Sequence, residues 1–176
     1  MPKPFMVVGR IVTHFTSIRR RSEVRMDAYI VIGDADSFKS STVRSLTGCR
    51  VRGVRDLVHG GVVLPTYVQL SSLQEGSSPI QPRAFIKTVH GARAKAAIFP
   101  LRALQHRGRL DANAYVREFI KAGWKIKGIA LLHSPGFQLT VPQVPQAAVF
   151  NYPSEGSPHY FANDLASRVR KAFGWK

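Results

Sequence analysis

The chain has 176 residues, 44% hydrophobic and 20% charged, which suits one domain with a core of its own. Lys and Arg outnumber Asp and Glu by 26 to 10, a formal charge of +16, and a field of that sign attracts polyanions. A single cysteine, Cys49, excludes an intrachain disulfide and any zinc site built on several thiolates.

Residues 1–26 read as a basic N-terminal segment with Arg19, Arg20, Arg21 and Arg25 as its charge cluster. Gly9 and Arg10 interrupt the opening too early for a signal peptide. No apolar run approaches the ~20 residues needed to span a bilayer, so a cytoplasmic protein is expected. Residues 27–176 are expected to form a single α/β domain. Residues 28–32 are rich in β-branched and aromatic side chains, and Gly33 ends them as it would end a buried strand. A helix follows over residues 39–46, with Gly48 near its close. Residues 66–70 supply a second strand. Pro82 opens a helix that closes at Gly91, and residues 96–99 give a third strand.

Residues 111–122 carry the strongest helical pattern. Asp111 suits the N-cap, and Ala112, Tyr115, Val116, Phe119 and Ile120 form one apolar stripe before Gly123. Residues 125–132 and 147–150 complete the strands, and residues 161–173 form the last helix. Strands alternating with helices imply an α/β fold, a mostly parallel sheet with helices on both faces. In such sheets ligands bind beyond the strands' carboxyl ends.

The segment from Gly33 to Thr42 lies at such an end. It reads Gly-Asp-Ala-Asp-Ser-Phe-Lys-Ser-Ser-Thr, a glycine, four residues, and then a Phe-Lys-Ser triplet opening a helix. Over about residues 27–48 this resembles the P-loop NTPases, whose loop binds phosphate through backbone N–H groups, a lysine and a magnesium-binding hydroxyl. The resemblance implies a P-loop-like fold in which Gly33, Asp34, Ser37, Lys39, Ser40 and Ser41 bind ATP or GTP, with Ser40 on magnesium. Three features depart from the family pattern. Phe38 replaces a glycine, Asp36 adds negative charge, and no later strand ends in an aspartate suited to magnesium. Glu75 is the nearby acidic candidate for a catalytic or metal role. Together these imply a degenerate loop with weak or absent hydrolysis, the alternative being an active ATPase, GTPase or small-molecule kinase.

Arg44, Arg50, Arg52 and Arg55 form a second basic cluster, and Arg102, Arg107 and Arg109 a third, whereas residues 128–167 contain no Lys or Arg. Arg102, Arg107 and Arg109, together with Arg19, Arg20, Arg21 and Arg25, are expected to meet a nucleic-acid backbone, DNA or RNA. The alternatives are a lid over phosphate for the third cluster and an acidic protein partner for the chain as a whole. Phe15, Trp124 and Trp175 lie beside basic residues and are candidates to stack on bases, with a core position the other reading for Trp124. The six histidines lack metal-ligand spacing. His133, after a strand, is the one placed to face a ligand.

Overall fold

A computed structural model describes residues 25–105, 108–132, 134–152 and 158–175. In chain order the elements are β1 (Asp27–Gly33), α1 (Lys39–Thr47), β2 (Gly53–His59), β3 (Val62–Val68), α2 (Pro82–Gly91), β4 (Ala96–Arg102), α3 (Ala112–Lys121), β5 (Lys125–Leu132), β6 (Val149–Tyr152) and α4 (Pro158–Ala172). The six strands form one sheet in the order β2-β3-β4-β1-β5-β6. Only β2 runs antiparallel to its neighbour; the other pairs are parallel. Among the described residues no helix is long and apolar enough to cross a membrane.

Side chains of β1 alternate between two apolar clusters, as the period of a strand requires. Ala28, Ile30 and Ile32 pack with Phe85 and Val89 of α2 and Tyr115 and Phe119 of α3. Tyr29 and Val31 pack with Val43 and Leu46 of α1 and Leu165 and Val169 of α4. The helices therefore cover opposite faces in pairs, and β1 is buried on both. After β1 the chain turns to the α1 face, whereas after the adjacent β4 it turns to the α3 face. The connections that leave β1 and β4 therefore part beyond the last pair, Gly33 and Arg102, and such a switch point is the crevice where open α/β sheets bind ligands.

The bounds of β3, β6 and α4 differ by a few residues from the sequence-based expectation, and two differences are larger. Residues 53–59 form an unanticipated edge strand, joined to β3 through Gly60 and Gly61, both at positive φ (56° and 89°). Such a turn matches the twist of a hairpin. Pro100 lies inside β4, where a missing N–H would ordinarily break a ladder. The β3–β4 pairing has already ended at Val68 and Ile98, so no strand faces that missing donor.

Candidate functional site

Gly33 ends β1 opposite Arg102 in the register with β4. Its lack of a side chain is required by a close approach: an added Cβ would collide with Ser37 Oγ and lie 3.1 Å from Leu132 Cβ. The loop then coils around one carbonyl. Asp34 O accepts from Ser37 Oγ (2.8 Å) and from Lys39 Nζ. Asp36 and Phe38 both adopt left-handed backbone, φ 57° and 59°. That region costs an L-residue roughly 1–2 kcal/mol.

Phe38 is the residue from which α1 starts, and no side chain caps that start. Nor does the first turn of α1 contain an acidic residue. The N–H groups of a helix's first turn have no partner within the helix and carry partial positive charge. They border a cavity of about 270 Å³ lined by residues 36–41 and Glu75. A larger cleft of about 760 Å³ lies between β5, β6 and residues 137–146, but its lining has no charged side chain. Of these two, the smaller is the one lined by charges of both signs.

Lys39 is 4% exposed. Besides Asp34 O, its Nζ meets Glu75 Oε1 at 3.3 Å. Burial pulls the lysine below its usual pKa, the Glu75 carboxylate opposes that shift, and the nearby Arg102 adds to it. Glu75 is held from both sides. The amide of Gln74 accepts from Arg102 N (3.0 Å) and donates to Arg102 O (3.0 Å), extending β4 with a side chain. Arg109 Nη1 donates to the carbonyls of Gln74 and Gly76, the latter at 3.2 Å.

The crevice thus gathers Gly33, Asp34, Ser37, Lys39, Ser40, Ser41 and Glu75 from the residues proposed by sequence. The lysine is buried and paired, not solvated. Arg102 and Arg109 are partly buried at the same place, with Arg109 Nη1 bonded to loop carbonyls. Arg25 is exposed, while Arg19, Arg20, Arg21, Arg107 and His133, like Phe15, lie outside the described residues. Trp124 and Trp175 are buried in the two clusters. Arg44, Arg50, Arg52 and Arg55 are all exposed near the end of α1 and on β2. Gln74 is the contributor that sequence reasoning missed, since nothing distinguishes a loop glutamine that splices onto a strand end.

Backbone donors, a buried ammonium and two hydroxyl side chains suit an anion, against the carboxylates of Asp36 and Glu75 in the same lining. Among the described residues no group of three or more His, Cys, Asp or Glu is placed to hold a metal ion. Compared with known proteins, the chain matches no family model, no curated protein and no solved structure.

Proposed function

We propose that residues 33–41 form a degenerate P-loop, an anion cup that takes the phosphates of a nucleotide such as ATP or GTP. Hydrolysis is weak or absent, and the protein acts within a nucleic-acid assembly through its basic surface. The observation that carries this reading is the backbone of Phe38. It adopts φ 59°, ψ 16° at the position where the resembled family has glycine, immediately before a buried lysine that opens the helix. A phenylalanine kept in a glycine's conformation supports a loop retained after its glycine was replaced.

In this reading Lys39 Nζ neutralises phosphate oxygens, the first-turn N–H groups of α1 donate hydrogen bonds to them, and Ser40 and Ser41 add hydroxyl donors. Ser40 Oγ would hold magnesium, which would supply positive charge to neutralise the phosphates. The half-buried Phe38 ring borders the cavity and narrows the approach to the backbone. That placement supports weak binding over turnover. The nucleic-acid part rests on the charge of +16 and on the exposed Arg44, Arg50, Arg52 and Arg55.

Titration calorimetry with ATP and GTP, with and without magnesium, tests the cup. Heat is expected for the wild type, none for Lys39→Ala, and tighter binding for Phe38→Gly. No heat for the wild type and Phe38→Gly alike would refute the cup. Filter binding to a DNA or RNA oligomer across a salt series tests the basic surface. Affinity should fall steeply with salt, and a flat response would refute backbone binding.

A further inference from the structure

We propose that Glu75 is a displaceable latch, its carboxylate standing over Lys39 in place of a ligand's phosphate, so that the crevice admits linked phosphates and turns away orthophosphate. The proposal rests on the reading of residues 33–41 as an anion cup and adds to it a rule for what enters.

The argument starts from the contrast between a fixed backbone and a loosely held side chain. Glu75 N donates to Ser72 O at 3.1 Å. Its neighbour Gln74 is spliced onto the end of β4, and Arg109 holds the carbonyls on either side of Glu75. The backbone therefore stays in place when a ligand arrives. The carboxylate is another matter. It is 34% exposed, faces the cavity shared with residues 36–41, and meets Lys39 Nζ at 3.3 Å. A tight charge-assisted hydrogen bond is nearer 2.7–2.9 Å. Rotation of the side chain alone uncovers the ammonium, so the device is a latch and not a lid.

Its consequence is a threshold. A tethered carboxylate competes with free anions at an effective concentration on the order of millimolar or above. One phosphate offers Lys39 little that the carboxylate does not already supply, and it carries the entropy cost of association. A second, linked phosphate also reaches the N–H groups of α1 and the hydroxyls of Ser40 and Ser41. Only the linked ligand gains contacts that Glu75 cannot make.

Calorimetry on the full chain with sodium orthophosphate, pyrophosphate and tripolyphosphate, with and without magnesium, separates the outcomes. The wild type should bind pyrophosphate and tripolyphosphate, and orthophosphate at least tenfold more weakly. Glu75→Gln should tighten pyrophosphate about tenfold and orthophosphate by more, narrowing the gap. Glu75→Asp keeps the charge on a shorter arm and guards against a folding defect; its affinities should lie between the two. Pyrophosphate binding by the wild type that is unchanged or weakened in both variants overturns the latch and leaves the cup standing. Weakening seen only with magnesium also overturns it, because Glu75 would then be a metal partner. Absence of binding in the wild type and both variants removes the cup, and the latch with it.

Discussion

Two buried bases sit at opposite ends of the sheet and are treated in opposite ways. Lys39, beyond the carboxyl end of β1, has a carboxylate at 3.3 Å and a backbone carbonyl on its ammonium. His59, at the far end of β2, is 7% exposed and packed among Tyr29 and Trp175, with ring centroids 5.0 and 4.4 Å away. Its Nε2 lies 2.8 Å from Thr66 Oγ1, whose own proton goes to Leu64 O. That assigns the imidazole proton to Nε2 and leaves Nδ1 buried without a partner. Burial alone lowers the histidine to a pKa of about 4. A base that the fold uses as packing is kept neutral; the base at the proposed anion cup is buried with a partly exposed counter-charge.

Acid should expose the difference most strongly. The unfolded histidine titrates near 6.5 and the folded one near 4. Between those values the unfolded chain binds more protons, so the stability due to His59 is full above pH 6.5 and is lost as pH falls toward 4. At 1.36 kcal/mol per unit the loss reaches about 3 kcal/mol. Urea unfolding of wild type and His59→Gln at pH 7 and pH 4.5 reads it as a difference between the two. Parallel pH profiles would remove the histidine from the comparison. At the other end, Gly33→Ala drives a methyl group into Ser37 and toward Leu132. The cost should be roughly 2 kcal/mol, as for overpacked cores. Unchanged thermal stability would mean that the loop does not close on β1 as described.

The helix starts sharpen the same contrast at a smaller scale. Asp111 caps α3 by accepting from Ala114 N at 2.8 Å, whereas Ser37, one residue before the N-cap position of α1, gives its hydroxyl to Asp34 O. Asp111→Ala should cost about 1 kcal/mol. Ser37→Ala should cost less, because it loses only the bond to Asp34 O and no cap. Equal losses in urea unfolding would mean that this loop bond matters to the fold as much as a helix cap does.

Strands β1, β4 and β5 and helix α3 were legible because burial on both faces, or one apolar stripe, leaves a strong pattern in the residues themselves. The glycine–lysine spacing at residues 33–39 located the crevice for the same reason: it is local. The β2–β3 hairpin was not legible, since an edge strand reading Val-Arg-Asp-Leu-Val needs no consistent apolar face. Long-range partners were the harder loss. Glu75 stood out only as a nearby acid, and its approach to Lys39 depends on Gln74 and Arg109, whose roles are set by tertiary contacts. Arg109 shows the limit of charge counting. Its Nη1 clamps two loop carbonyls, a structural part that charge clustering does not reveal and that stands beside the expected nucleic-acid contact.

The smallest expected effect on folding is also the most telling. Lys39→Met keeps the length and apolar bulk of the side chain but removes the charge. Breaking a buried ion pair is costly when it strands a buried partner, yet replacing such a pair with a hydrophobe is often neutral. Glu75 is one-third exposed, so its carboxylate regains water once the ammonium is gone. The methionine also escapes the desolvation that depresses the lysine. Thermal unfolding should therefore change by less than about 1 kcal/mol, while pyrophosphate binding by calorimetry disappears. A loss of about 3 kcal/mol or more would mark Lys39 as a structural strut, like the packed His59, and the distinction between the two ends of the sheet would no longer hold. Stability retained with binding lost would mean that the lysine's burial is an expense the fold tolerates for the sake of a ligand.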